Sequence, residues 1–350
     1  MDGSKDAVTA LLKWYEQNRR ALPWRIDHEP YHVWVSEIML QQTRVETVIP
    51  YYLRFLQVLP DVHALANAPD AQLLKLWEGL GYYSRVRNMK KAAQQIESEF
   101  GGHFPSDRDR LQKLSGIGPY VSGAIASIAF GQPAPAVDGN VLRVVARWTA
   151  DPSDIAQPAM RRKTEAFVAE RMPTGRCGMF TQALMELGAC VCMPNGAPHC
   201  DVCPIRPDCA AFHTDQTRTL PVKSRAKPRT VEARTVLLFQ SGEKYGLRRR
   251  PSKGLLAGLW ELPSLDGHWH TEQLAERYGD CLTEPPEPIG RAKHIFTHIE
   301  WHMIGYRMVV FDPSAVPDVT WFTADEIREK LSVPTAFAPY MAQISASARP

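Results

Sequence analysis

Apolar residues recur at three- and four-residue spacings through the first ~210 residues, the period of helices with one buried face. Val8, Leu11, Leu12 and Tyr15 share one side of a helix predicted over 6–21, which Leu22-Pro23-Trp24-Arg25 ends. A strongly apolar segment from Tyr31 to Leu59 reads as two helices broken at Pro50. Further helical patterns cover 70–78, 84–100, 107–114, 119–130, 139–149, 158–171 and 177–188. None alternates with period two, and no internal repeat of fixed period occurs, so this region is predicted to be all-α. The pattern changes at Thr214. TDQTRTLPVKSRAKPRT is polar, basic and Pro-containing, which reads as an interdomain linker over 214–230. Beyond it VEARTVLLFQ, KYGLRRR, GLWELP and EWHMIGYRMVVF read as strands, TEQLAERYG as a helix, and DEIREKL as a last helical stretch. The expected organisation is a helical domain over 1–213, the linker, and a small α+β domain over 231–350.

Leu111–Trp148, LQKLSGIGPYVSGAIASIAFGQPAPAVDGNVLRVVARW, organises the helical part. Ser106 is the expected N-cap of its first helix, with Asp109 three residues on. Gly116 and Gly118 break the periodicity, and Pro119 stands at the favoured first position of the next helix. A glycine turn opening onto a helix N-terminus presents free N–H groups, which suits a phosphate, although an ordinary helix–turn–helix corner has the same pattern. A dinucleotide site is disfavoured because a helix, not a strand, precedes the turn. Asp138 reads as the N-cap of VLRVVARW; that position is expected to depress its pKa and keep it an anion.

Glu37 stands alone among Val33, Val35, Ile38, Met39 and Leu40. It is either a surface residue between two buried faces or a buried carboxyl whose pKa desolvation raises. Leu80-Gly81-Tyr82-Tyr83-Ser84-Arg85-Val86-Arg87-Asn88 joins aromatics to arginines in a Gly-flanked turn. Cys192, Cys200, Cys203 and Cys209 form C-x7-C-x2-C-x5-C. So compact a set of thiols suggests metal ligation; a four-cysteine zinc site usually has two C-x2-C pairs, whereas a [4Fe–4S] cubane takes ligands from one loop. Cys177, Cys190 and Cys281 read as ordinary thiols.

The chain has 350 residues, 44% hydrophobic and 23% charged, with net charge +3. These values suit a globular protein of about two domains, permit nucleic-acid binding without demanding it, and include no membrane-spanning run. The odd count of 7 cysteines argues against a disulfide framework. MDGSKDAVTALLKWYEQ lacks a signal-peptide core, so the expected location is cytoplasmic, nucleoid-associated if the source is bacterial.

LSGIGPY followed by VDGN, together with WVSEIMLQQTRV, resembles the MutY-type adenine DNA glycosylases of the helix–hairpin–helix, Gly/Pro–Asp superfamily. The resemblance covers roughly residues 6–345. It implies a six-helix barrel with an iron–sulfur helical module over 192–209, followed by a Nudix-like domain. The hairpin at Gly116 and Gly118 would grip a DNA phosphate. Glu37 falls on the general acid that protonates adenine N7. Asp138 falls on the carboxylate that faces the sugar, and Tyr120 and Asn140 on residues that support that intermediate. Trp24, Arg20 and Gln182 match the adenine pocket, while Gln42 and Tyr82 match residues inserted beside the lesion. A [4Fe–4S] cluster on Cys192, Cys200, Cys203 and Cys209 is implied. The first gap is one residue longer than the family's, which predicts a bulge at Asn195-Gly196. In the second domain Phe296-Thr297-His298 matches the family's Phe-Ser-His reader of 8-oxoguanine, with threonine in place of serine.

The implied function is monofunctional adenine excision from double-stranded DNA carrying A·8-oxoguanine or A·G, by a monomer with no membrane partner. Two carboxylates in unlike environments are what N-glycoside hydrolysis needs. An endonuclease III-like lyase would carry lysine, able to form a Schiff base, where Tyr120 stands. A Nudix hydrolase of oxidised nucleotides would need an acidic metal-binding helix that TEQLAERYGDCL does not supply. A DNA-binding protein without catalysis would lack Glu37 or Asp138.

Overall fold

A computed structural model describes residues 3–224 and 228–347. Its contacts divide into two units, Met1–Ala68 with Arg87–Arg225, and Pro69–Val86 with Ala226–Pro350. The helices of the first ~210 residues, following the periodicity, are α1 (Gly3–Asn18), α2 (Pro30–Met39), α3 (Val45–Val58), α4 (Val62–Asn67), α5 (Asp70–Leu76), α6 (Ser84–Phe100), α7 (Arg108–Gln112), α8 (Pro119–Ile128), α9 (Gly139–Trp148), α10 (Pro158–Arg171), α11 (Cys177–Cys190) and α12 (Ala210–His213). All but α5 and the first turn of α6 belong to the helical unit. One of its cores joins Leu11 and Tyr15 of α1 to Val141, Val144, Val145 and Trp148 of α9 and to Phe180, Leu184 and Leu187 of α11.

Three local expectations are corrected. The break in the 31–59 segment falls between α2 and α3, where Gln42 takes a left-handed φ of 60°, and α3 runs through Pro50. Pro50 removes one ladder donor, but Val48, Tyr52 and Phe55 are buried on either side of it and hold the helix. The cap of α7 is Asp107, whose Oδ1 accepts the Arg110 N–H at 2.9 Å, rather than Ser106. The segment read as a linker is partly anchored: Leu220 is buried against Cys209 and Ala211, its carbonyl accepts Arg147 Nε at 2.8 Å, and Val222 O accepts the Ile155 N–H at 3.0 Å. A single leucine in a polar stretch is a weak sequence signal, yet it ties 214–224 to the helical unit. Residues 225–227 of that segment lie outside the described residues.

The second unit is a mixed sheet with helices: β1 (Thr230–Ser241), β2 (Lys244–Arg249), β3 (Trp260–Glu261), β4 (Ser264–Asp266), α13 (Thr271–Tyr278), β5 (Glu287–Ile295), β6 (Ile299–Val309), β7 (Thr320–Thr323), α14 (Ala324–Lys330) and α15 (Ala338–Ser347). The order is β3-β2-β1-β6-β5, with β4 paired to β1 and β7 to β2. β1 and β6 run parallel; the other pairs are antiparallel. Val236 and Leu238 enter the core on one face, Leu237 and Phe239 the core on the other. Burial on both faces explains why VLLF is a continuous apolar run rather than an alternating one. Strands β4, β5 and β7 and helix α15 lacked such a signal: β4 and β7 are short, and EPIGRAKHI of β5 is a charged edge.

Candidate active site

A cleft of about 490 Å³ opens in the helical unit, lined by residues of the 20–25 turn, α2, the 40–45 turn, α8, the start of α9 and α11. Glu37 enters it from α2. That helix buries Tyr31, Val33, Trp34, Val35, Ser36, Ile38 and Met39 as well, so it offers Glu37 no solvated side. The residue is 6% exposed and accepts a short hydrogen bond from the Tyr120 hydroxyl. Burial pushes its carboxyl up to about 7, with Asp138 adding to the rise and the Tyr120 hydrogen bond and Arg25 opposing it. The same burial, with Glu37 and Asp138 close by, holds the Tyr120 phenol well above its ordinary value, so it stays a neutral donor.

Asp138 caps α9. Its Oδ1 accepts the Val141 N–H at 2.8 Å and its Oδ2 accepts Asn140 Nδ2 at 2.7 Å. The expected depressed pKa is not what the site produces: burial raises the carboxyl above its ordinary value, and the donors, with Arg143, only pull part of the way back. The cap is present, but desolvation outweighs it. Asn140 is held in turn by Arg143, whose Nη2 donates to Asn140 Oδ1 at 2.9 Å and to Gly188 O at 2.8 Å, while its Nε donates to Cys192 O at 2.7 Å. Gly188 permits this approach of α11, because a Cβ there would lie 2.6 Å from Asn140 Cβ.

Trp24, Arg20, Gln182 and Gln42 line the same cleft. Trp24 is buried and packs edge-on against Tyr52 at 5.5 Å. Gln182 Oε1 accepts the Tyr15 hydroxyl at 3.0 Å. Arg20 donates through Nε and Nη2 to the two oxygens of Glu186, both at 2.8 Å, and Arg25 Nη2 adds a third bond at 2.8 Å. Glu186 is 1% exposed, and these donors hold it down at about 2 against the opposing effect of burial. Glu186 and Arg25 were not anticipated. The available signal was that Glu186 is the one charged residue in CGMFTQALMELGAC and lies four positions after Gln182, on the same helix face.

The remaining candidates lie elsewhere. Gly116 takes φ +74° in the α7–α8 turn with its Cβ direction 2.7 Å from Asn88 Cβ, so only glycine fits, and Gly118 caps α8. Tyr82, Phe296, Thr297 and His298 all belong to the sheet unit. Phe296 packs edge-on against Trp301 at 4.9 Å, and the Tyr82 hydroxyl lies 3.0 Å from Thr297 Oγ1.

Cys192, Cys200, Cys203 and Cys209 are free thiols close enough to shift one another electrostatically. Burial is the main cause of the elevation at Cys200, Cys203 and Cys209 and pushes Cys203 up to about 12. Arg147 Nη1 donates to Cys192 Sγ at 3.2 Å. Between Cys192 and Cys200 the loop doubles back, with His199 N–H on Val191 O at 2.9 Å and Gly196 left-handed at φ 75°. Among the described residues no three His, Cys, Asp or Glu side chains form a group ready to hold a single metal ion.

Residues 35–170 match the model of the HhH-GPD superfamily base excision DNA repair protein, the class that the hairpin, the capped Asp138 and the helical fold define. Residues 234–343 match a NUDIX domain. The chain is 36% identical to the adenine DNA glycosylase of Mus musculus, the match spanning 90% of this chain and 73% of that one. To the adenine DNA glycosylase of Homo sapiens it is 35% identical, over 91% and 70%. The chain belongs to the adenine DNA glycosylase family, and it is a DNA N-glycosylase. Among solved structures, a thermostable thymine-DNA glycosylase superposes with a TM-score of 0.55 at 26% identity, covering 61% of this chain and 97% of its own. Endonuclease III in a non-covalent DNA complex, at 22% identity and a TM-score of 0.50, shares the fold over 60% of this chain and 95% of its own. No described helix is long and apolar enough to cross a membrane.

Proposed function

We propose that this enzyme excises adenine mispaired with 8-oxoguanine, and less efficiently adenine opposite guanine, by hydrolysis that leaves an abasic site. The observation that carries the chemistry is the pairing of Glu37, held near pH 7 by burial, with Asp138 as the second buried carboxylate of one cleft. A carboxyl with that pKa is part protonated at neutral pH and gives its proton to adenine N7 as the C1′–N9 bond breaks. The bond's electron pair leaves with the base. Asp138 faces the resulting oxocarbenium as a carboxylate. Desolvation makes its charge costly in the empty cleft, so its interaction with the cation is strongest when the cation forms, the differential binding that lowers a barrier. Water then adds to C1′, and Glu37 takes the proton that this water releases. Tyr120 holds Glu37 in place; a phenol kept neutral supplies no amine for a Schiff base, in keeping with monofunctional chemistry. Trp24, Arg20 and Gln182 would bound the flipped adenine, while Gln42 and Tyr82 fill the gap left in the stack.

Opposite the adenine, Phe296, Thr297 and His298 would read 8-oxoguanine. Threonine keeps the hydroxyl of the family's serine. The glycine turn at Gly116 and Gly118 would hold a phosphate of the duplex, giving salt-sensitive binding independent of sequence.

Cys192, Cys200, Cys203 and Cys209 would ligate a [4Fe–4S] cluster. The donor set suits it: four thiols close enough to interact electrostatically, with the Arg147 guanidinium donating to Cys192 Sγ. A single zinc ion would draw its sulfurs to roughly 3.8 Å from one another, whereas a cubane spreads them over four corners. The cluster would supply structure, pinning the 192–209 loop.

Single-turnover excision on duplexes with adenine opposite 8-oxoguanine, G, C or T, with and without alkali, tests this reading. Breaks that need alkali and are fastest opposite 8-oxoguanine are expected; alkali-independent breaks or no preference for 8-oxoguanine would overturn it. Iron and sulfide analysis of the wild type and of Cys203→Ser tests the cluster, with near-stoichiometric loading expected only in the former.

A further inference from the structure

The loop carrying Tyr82 is built into the sheet unit by two side chains of α5 and the turn after it. Lys75 Nζ donates to Leu331 O at 2.8 Å, a carbonyl at the end of α14 that the helix itself leaves open. Glu78 Oε1 accepts the Val333 N–H at 2.8 Å, and its Oε2 holds Lys75 Nζ at 2.5 Å. Both side chains are largely buried, 26% and 28% exposed. Beyond them the loop is cross-braced by its own hydrogen bonds. Trp77 Nε1 donates to Gly81 O at 3.0 Å, Arg85 Nη2 donates to Leu80 O at 3.0 Å and to Gly81 O at 3.2 Å, and Tyr82 is held at φ 47°. At its tip the Tyr82 hydroxyl meets Thr297 Oγ1 at 3.0 Å. The loop therefore has a rooted base and a tip that rests on the β5–β6 turn.

We propose that Lys75 and Glu78 are positioning residues for selection of the base opposite the adenine. They lock the Tyr82 loop to the 331–333 segment, so that the inserting ring and the Thr297 hydroxyl form one preassembled surface. A stacking group and a hydrogen-bonding group that must read the same base gain selectivity from fixed relative placement. This inference rests on the reading that the sheet unit recognises 8-oxoguanine. Neither Lys75 nor Glu78 lines the cleft that holds Glu37 and Asp138, so their loss should leave the chemistry intact.

The test uses the full chain and single-turnover rates on A·8-oxoguanine and A·G duplexes for wild type, Lys75→Met, Glu78→Leu and Glu78→Gln, with melting temperatures. Lys75→Met and Glu78→Leu are expected to reduce the ratio of the two rates about tenfold while the A·G rate stays within about twofold. Glu78→Gln keeps an acceptor for Val333 N–H and should retain most of the ratio. An unchanged ratio in both disruptive variants, an equal loss on both substrates, or a Gln variant as impaired as the Leu variant would overturn the proposal. So would failure of both Lys75→Met and Glu78→Leu to fold, since the clamp would then be a stability element. A wild type with no preference for 8-oxoguanine would instead overturn the reading of the sheet unit itself, and this proposal with it.

Discussion

The two walls of the cleft each bury a glutamate, and the two carboxyls behave in opposite ways. Glu37 on α2 is 6% exposed and pushed up to about 7; Glu186 on α11 is 1% exposed and held at about 2. Burial raises both, so exposure does not separate them. What differs is the donors: Glu186 accepts from Arg20 and Arg25, whereas Glu37 accepts from the neutral hydroxyl of Tyr120. One wall holds a carboxyl that is part protonated near neutral pH, the other an anion that pairs with two arginines at the cleft. A buried carboxylate with its cations is architecture; the same group without them is chemistry.

The comparison breaks most sharply at Glu37 itself. Glu37→Gln keeps shape and hydrogen-bonding capacity but cannot deliver a proton, so adenine excision should fall by roughly 10²–10⁴-fold in single-turnover assays while duplex binding persists. Retained excision would mean that the acid lies elsewhere. On the opposite wall, Glu186→Ala leaves Arg20 and Arg25 facing a void, with an expected loss of about 3–5 kcal/mol measured by urea unfolding. If that variant is as stable as wild type, the arginines find other partners and the wall is not held by this carboxylate.

Acidity should separate the two walls by sign. The folded pKa of Glu37 is raised from its ordinary 4.5 to about 7, so the folded state holds this proton more tightly than the unfolded chain. Its stabilising contribution is complete below pH 4.5 and is lost as pH rises to about 7, about 3 kcal/mol in all. For Glu186, lowered from 4.5 to about 2, the contribution is complete above pH 4.5 and is lost as pH falls toward 2. Unfolding of wild type and Glu37→Gln across pH 4 to 8 checks this: the difference between the two curves should change through the Glu37 window and be flat beyond it. The excision rate should likewise decline above pH ~7 as the acid ionises.

Smaller effects refine the picture. Gly188→Ala drives a methyl into Asn140 and should cost about 1–3 kcal/mol in unfolding, with a further drop in excision as Asn140 moves off Asp138; unchanged excision would show that Asn140 does not steer that carboxylate. In the sheet unit, a double-mutant cycle of Tyr82→Phe and Thr297→Val should give a coupling of about 0.5–1 kcal/mol in unfolding. No coupling would mean that the hydroxyls do not hold each other in solution.

Much of this protein follows from sequence alone, because helix period, turn chemistry and capping are local properties. LSGIGPY and VDGN announce the turn at Gly116–Gly118 and the cap at Asp138, and the polar break near Thr214 announces a change of architecture. Local rules failed where burial or a contact from far along the chain overrode them. Pro50 did not end α3, since buried neighbours on both sides held it; Leu220 turned half of a polar linker into packed structure; and residues 69–86 joined the sheet unit through Lys75 and Glu78. The presence of two carboxylates was legible in the sequence. Their ionisation was not: the cap predicted a depressed Asp138, and burial raised it. A pKa is set by solvent exclusion and by partners more than a hundred residues away, as Arg20 is from Glu186, and only the tertiary structure brings those together.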